Sequence, residues 1–318
     1  MAPEATFLLG VGAQKAGTSW LHEQLHRRSD ADFGFLKEYH VFDVLELERF
    51  AGFRPKRPTP LKWRTWRRAR FIARPERYFD YFASRLKPPQ IRLTGDITPS
   101  YAGLSAESYQ RIQKAFAQRG VQTRAVFIMR DPVERFLSQQ RMQLRKRGLL
   151  TPAHEIEQLD KASLKLLKRD SPRSDYPATL DALRDGFAES EIFIGLYETL
   201  FTADNHRALC RCLGIPEQTP DGSHRVNASQ ATTLVPPELL QRLGRHFSPL
   251  VTAVQERCPD LAVEQHWATA MRWREARSHQ RQSRSFEYTR RRFIRATPGR
   301  SKPRCAAVGA GAPNQAPS

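Results

Sequence analysis

A lysine, two hydroxyls and two small residues stand together near the N-terminus, in Gln14-Lys15-Ala16-Gly17-Thr18-Ser19-Trp20. Their chemistry is anion binding. Gly12 and Gly17 bound a loop that follows the apolar run Phe7, Leu8, Leu9, Val11, and Trp20, Leu21 and Leu25 after it have helical spacing. Backbone N–H groups at a helix start lack partners inside the helix, so an anion fits there. The Gly-x-x-x-x-Gly spacing is that of a nucleotide P-loop, but a Walker loop puts Lys and then Ser/Thr directly after its second glycine. Here Thr18 and Ser19 follow Gly17, and the lysine lies inside the loop as Lys15. No hydroxyl is framed beside that lysine to hold Mg²⁺, which points to a phosphate ligand held without metal.

Two further groups can serve the same chemistry. Val126 to Met129 is a short apolar, β-rich run that suits a central parallel strand. Asp131 can cap the next helix, Pro132 suits its first position, and Glu134 completes a capping-box spacing. Arg130 then lies at a strand's C-terminal end beside a helix start, where ligands bind in open α/β sheets. Ser138, about two turns along that helix, can reach the same anion. Lys37-Glu-Tyr-His-Val-Phe-Asp43 supplies groups that can take a proton, Glu38 and His40. Residues two apart in an extended segment face one side, so both can point into one cleft. A surface loop with an ordinary Lys–Glu pair is the plain alternative.

The loop Gln14 to Trp20 resembles the 5′-phosphosulfate loop of sulfotransferases that use 3′-phosphoadenylyl sulfate (PAPS). The segment around Arg130 and Ser138 resembles the same family's 3′-phosphate motif, in the right order and about 115 residues downstream. The resemblance spans about residues 5 to 270. It implies PAPS as co-substrate, with the loop residues Gln14 to Trp20, Arg130 and Ser138 holding it, Lys15 shielding the leaving oxygen, and no metal. Lys37-Glu-Tyr-His-Val-Phe42 resembles Lys-Glu-x-His-x-Phe in the heparan-sulfate-type, carbohydrate-directed branch, which implies Glu38 as general base and His40 as an assisting group. The small-molecule branch uses a histidine base, so His40 is the rival. Tyr197-Glu198 is similar to a family Tyr-Glu whose tyrosine lies near adenine. Trp20 matches an aromatic that can stack on adenine, with core packing the equal alternative for both rings, and Arg225, in a late loop at 224–229, can reach the 3′-phosphate. Asp96-Ile-Thr-Pro-Ser-Tyr101 resembles Glu-Lys-(Ser/Thr)-Pro-x-Tyr but has Ile97 where the branch has a lysine that would contact base or acceptor.

The elements that must position these groups follow from the pattern. The expected fold class is α/β, a three-layer P-loop-like fold with a central parallel sheet flanked by helices. Strands are predicted at 7–11, 92–96, 121–129 and 191–197. Helices are predicted at 18–28, 105–119, 132–147, 177–188, 203–213 and 236–257. Residues 5–275 would form the sulfotransferase domain, with a basic helical insertion at 45–90. Residues 276–318 would form a basic, partly disordered tail.

The 318 residues carry a net charge of +19, unevenly spread: 54–92 hold +11, 272–304 hold +10, and the remainder is −2. Solubility is the plain reading; attraction of an anionic acceptor or surface is the sharper one. Packing of an amphipathic helix through Trp63, Trp66 and Phe71 accounts for the aromatics in the first basic run. No nucleic-acid motif accompanies the charge. No run of 18 apolar residues encodes a membrane span, and residues 1–6 show neither a basic segment nor a signal-type apolar core, so no signal segment is expected. Four cysteines without zinc spacing read as reduced thiols. These features predict a cytoplasmic protein, and the resemblance implies an enzyme acting on a small-molecule or glycan acceptor. The alternatives are a P-loop kinase and a non-catalytic nucleotide-binding module.

Overall fold

The N-terminal apolar run is a central strand. In the computed structural model, which describes residues 5–168, 174–220 and 233–273, four parallel strands form one sheet in the order β2-β1-β3-β4. They are β1 (Thr6–Gly12), β2 (Leu93–Ile97), β3 (Gln122–Met129) and β4 (Ile192–Leu196). All of β1 and β2 is buried, as strands covered on both faces must be. Helices fill the crossovers: α1 (Thr18–His26) after β1, α5 (Ala106–Ala117) between β2 and β3, and α6 (Pro132–Lys146) after β3. The expected layered α/β architecture is therefore present.

Short α2 (Phe42–Glu46) precedes the helical pair α3 (Trp63–Ala73) and α4 (Glu76–Arg85). Tyr78, Phe79, Tyr81 and Phe82 of α4 are buried, and Phe82 meets the ring of Phe7 on β1 edge-on at 4.9 Å. Phe7 also stacks on Phe116 of α5 at 4.0 Å. The aromatics of 71–82 thus build core. Trp63, by contrast, is 49% exposed, so α3 packs through Phe71 and Ile72.

Helix α7 (Pro152–Lys168) was not announced by the sequence pattern. Its buried positions are Glu155, Leu159, Ser163 and Leu166, so two polar residues interrupt the apolar stripe. Arg141 of α6 explains one of them, pairing with Glu155 at 2.7 Å. Helix α8 (Tyr176–Gly186) and α9 (Ala203–Leu213) flank β4, and Gly214 ends α9 with φ 65°. The chain continues through α10 (Pro237–Arg257) into short α11 (Val263–His266) and α12 (Ala268–Arg272). No helix among the described residues is long and apolar enough to cross a membrane. Arg225 and the tail at 276–318 lie outside the described residues.

One sequence expectation at α6 needs correction. Asp131 caps the helix, accepting from the N–H groups of Val133 (2.9 Å) and Glu134 (3.3 Å). Glu134 does not close a reciprocal box. The Asp131 N–H donates instead to Glu198 after β4 (2.9 Å), while Glu134 accepts from the Thr269 hydroxyl at 3.0 Å. Asp131 also accepts from the Ala270 N–H at 2.8 Å. The turn that presents Arg130 is thereby tied to two distant segments.

Candidate active site

All four strands deliver a residue to one place at the sheet's C-terminal edge. Beyond β1 comes the loop from Gln14 to Thr18, beyond β2 Ser100, beyond β3 Arg130, and beyond β4 Tyr197, and all border a cleft of about 630 Å³. That volume suits a nucleotide-sized ligand. Loop geometry depends on Gly17, which starts α1 in the left-handed region (φ 82°). A Cβ there would come within 2.8 Å of the Leu200 side chain and 3.0 Å of the Tyr197 ring, and the left-handed backbone itself disfavours any side chain. Ala16 packs into the core, whereas Gln14, Lys15, Thr18 and Ser19 border the cleft. No acidic residue lies in the first turn of α1, which leaves the positive end of the helix facing the cleft.

Lys37 joins this loop to the proton-accepting groups. Its ammonium donates to Thr18 Oγ1 (3.1 Å), Ser19 Oγ (3.2 Å) and Glu38 Oε1 (3.0 Å). Glu38 Oε2 lies 3.3 Å from His40 Nε2, and His40 Nδ1 lies 2.6 Å from Asp43 Oδ2. Asp43 also accepts from the Ser100 hydroxyl. The result is a carboxylate–imidazole–carboxylate row. The structure brings Glu38 and His40 together through a left-handed turn at His40 (φ 50°), not through extended backbone. Tyr39 between them is buried, and its N–H binds Asp96 and Thr98.

Asp96 organises this region. It accepts from the hydroxyls of Tyr78 (2.9 Å), Tyr101 (2.8 Å) and Thr98 (2.6 Å). Full burial raises its pKa to about 6 despite those bonds. Ile97, which stands where the resembled motif has a lysine, is fully buried against Gly10 of β1. A cation at 97 would face core; the lysine that meets a carboxylate at the cleft is Lys37, on Glu38.

Electrostatics divide the row. Burial opposes the charge on Glu38, but hydrogen bonds and charges from His40 and Lys37 outweigh it and lower its pKa to about 2. Burial likewise opposes the charge on His40, yet its bonds to Asp43 and Glu38 raise it to about 9. At neutral pH His40 is a cation between two anions. Because its pKa rises on folding from 6.5, this pairing stabilises the fold fully below pH 6.5 and is lost as pH rises through about 9. His40→Asn is expected to cost on the order of 2–3 kcal/mol near pH 6, with the deficit shrinking by about pH 10. Thermal melts of both proteins across that range would check it; a deficit independent of pH would rule out the charged pair as its source.

Arg130, Ser138 and Tyr197 also border the cleft. Arg130 donates to the carbonyl of Lys15 at 3.1 Å and lies 4.5 Å above the Tyr197 ring, which holds its guanidinium at the loop. Ser138 is buried at the cleft's edge. Trp20 borders the cleft but is only 2% exposed and packs edge-on against Phe201. In this structure the ring serves packing, and the better exposed ring on that side is Tyr197. Lys15 is held below its ordinary pKa by burial first, then by the charges of Arg130, Arg145, Lys146 and Lys37. Such crowding of cations is relieved by a bound anion.

Several of these residues escaped the sequence reading. Lys37, Asp43 and Ser100 lie within segments whose pattern points to other residues. Arg141, Met142 and Arg145 border the cleft at three, four and seven positions after Ser138, a helix-face spacing that was available. Among the described residues no three His, Cys, Asp or Glu side chains are grouped as a metal site.

No protein-family model matches the chain, and no curated protein does. Solved structures do. Sulfotransferase domains from the curacin biosynthetic pathway and from the Synechococcus PCC 7002 olefin synthase align over 93% of this chain and 99% and 96% of theirs. Their TM-scores are 0.42 and 0.39, at 14% and 15% identity. A sulfotransferase from Alicyclobacillus acidocaldarius aligns with a TM-score of 0.51 at 18% identity, over 80% of this chain and 96% of that one. This last likeness, with the parallel sheet and its C-terminal cleft, establishes a sulfotransferase-type fold.

Proposed function

We propose that this chain is a cytoplasmic PAPS-dependent sulfotransferase. Its acceptor is a hydroxyl (or amine), most simply of a carbohydrate or glycolipid, as in the carbohydrate-directed branch that Lys37 to Phe42 resembles. The observation that carries the reading is the reach of Lys37: one ammonium touches the hydroxyls of the anion loop and the Glu38 carboxylate together. The carboxylate therefore lies beside the place where a phosphosulfate would sit.

In the reaction, Glu38 takes the proton of the acceptor hydroxyl as its oxygen attacks sulfur. The sulfur–oxygen bond to the 5′-phosphate breaks in line, and negative charge gathers on the leaving oxygen. Lys15 stabilises that oxygen, and the Thr18 and Ser19 hydroxyls with the loop N–H groups hold the phosphosulfate. Arg130 and Ser138 recognise the 3′-phosphate. Lys37 and His40 suppress the basicity of Glu38 in the resting site. A bound phosphosulfate competes for Lys37 and adds negative charge nearby, and both effects raise Glu38 toward a useful base. His40 has both ring nitrogens engaged, which favours it as orienting cation over base. A kinase would need a carboxylate for Mg²⁺ at the β3 end, and Asp131 there is spent on capping.

Calorimetric titration with 3′,5′-adenosine bisphosphate, the product of sulfuryl transfer from PAPS, tests the nucleotide site without an acceptor. Micromolar binding of the bisphosphate and weak binding of ATP-Mg²⁺ are expected. Arg130→Ala is expected to weaken the bisphosphate by about 1.5–3 kcal/mol, as loss of a charge-assisted hydrogen bond should. Equal affinity in both proteins would remove the 3′-phosphate assignment, and preference for ATP-Mg²⁺ would overturn the reading.

A further inference from the structure

Residues 51–64 stand in solvent almost throughout, with only Pro55 half-buried. Leu61 is 95% exposed, Trp63 49% and Phe53 45%. Three large apolar side chains are thus exposed within one eleven-residue stretch. Around them stand the exposed cations Arg54, Lys56, Arg57, Lys62 and Arg64, and Arg70 and Arg74 extend the charge along α3. Residues 51–74 contain nine Lys/Arg and no Asp or Glu. Among the described residues none of the exposed cations meets a carboxylate; Arg64 lies over the ring of Trp63 and Arg70 over that of Trp66.

Charge selects the occupant. The chain's own C-terminal segment is basic, and a second copy would present the same positive face, so neither complements the patch. A polyanionic chain would match the cations but would leave Leu61 and Trp63 in water. An anionic bilayer matches both sets. Tryptophan suits the headgroup level, leucine the acyl boundary, and Lys/Arg the lipid phosphates.

The patch also adjoins the cleft. Arg68 of α3 donates to the Phe53 carbonyl, and the Phe53 ring stacks on His40 at 4.5 Å. Phe53 therefore belongs both to the exposed segment and to the cleft wall. We propose that segment 51–64, with the outer face of α3, docks the protein on an anionic lipid bilayer and presents the cleft to an acceptor carried at that surface. The docking stands without the sulfuryl-transfer reading; only the membrane-borne acceptor rests on it.

The test is sedimentation of the full chain with vesicles of phosphatidylcholine alone or with one third phosphatidylserine. Binding to the anionic vesicles and little to the neutral ones is expected. Leu61→Ser with Trp63→Ser should lower partition about tenfold or more. Arg57→Gln, Lys62→Gln and Arg64→Gln together should lower it about a hundredfold, since each cation near an anionic leaflet contributes about fivefold. Calorimetry with 3′,5′-adenosine bisphosphate is run on every variant and should be unchanged, which confirms folding and keeps the two readings separate. Wild-type partition in the apolar double variant would overturn the proposal in favour of a soluble polyanion, which retention on heparin would identify. Wild-type partition in both variants would assign any binding to other basic segments and overturn it equally.

Discussion

Replacing Glu38 with Gln is expected to cut turnover by about 10²–10⁴-fold while leaving the affinity for 3′,5′-adenosine bisphosphate within about twofold. The two effects separate because the side chain has two jobs. The amide oxygen of Gln can still accept from Lys37, so the lysine remains beside Thr18 and Ser19 and the anion loop keeps its shape. The amide cannot take a proton from the acceptor. Its loss also removes one of the anions that raise His40. His40 would then carry its proton less firmly, yet Asp43 would still hold Nδ1. Steady-state rates with any accepted substrate, set beside calorimetry, read both quantities. Undiminished turnover would transfer the base to His40 and invert the roles in the row.

Lys15→Met is expected to lower kcat by about 10²–10³-fold, the cost of removing one preorganised charge from a leaving oxygen. The loss in ground-state nucleotide affinity should be smaller. Lys15 lies where Arg130, Arg145, Lys146 and Lys37 already supply positive potential, and burial with those charges makes its own protonation harder. Deleting it relieves some repulsion in the empty site, which offsets part of the lost attraction. At the transition state there is no such offset, because charge gathers on one oxygen and needs a donor at that point. Methionine keeps the length and unbranched shape of the side chain at φ 70° without its charge. Unchanged kcat with reduced affinity would show that Lys15 only binds the nucleotide and would move the leaving-group role to Lys37.

The sheet was the most legible part of the sequence. β1, β3 and β4 are short apolar runs, and α1, α5, α6, α9 and α10 follow helical spacing closely. Much of the cleft lining was legible too, because the 14–20 loop and the Arg130 turn are each local in sequence. What stayed hidden came from long-range pairing. The Asp131 N–H could serve Glu134 by spacing, but Glu198, 67 residues away, takes it. Helix α7 hides its register behind Glu155, which is inside because Arg141 is. Lys37 looked like the partner of its neighbour Glu38; its hold on Thr18 and Ser19 exists only once α1 and the 37–43 segment share a wall. For Trp20 the sequence leaves stacking and packing both open, and only the fold shows the ring 2% exposed against Phe201.

The strand order has a consequence for how the chain is made. β1 emerges first, yet its neighbours are β2 and β3, with Thr6 opposite Leu93 on one side and Gln122 on the other. Neither edge of this apolar strand can be covered until more than 80 further residues exist, and the second not until β3 is complete. At ribosomal rates of roughly 5–20 residues per second, an unpaired Phe7–Val11 persists for on the order of ten seconds. The strand that anchors the anion loop is thus also the segment most exposed to misassociation during synthesis. Productive folding of the whole domain depends on what shields it until residue 129 has been added.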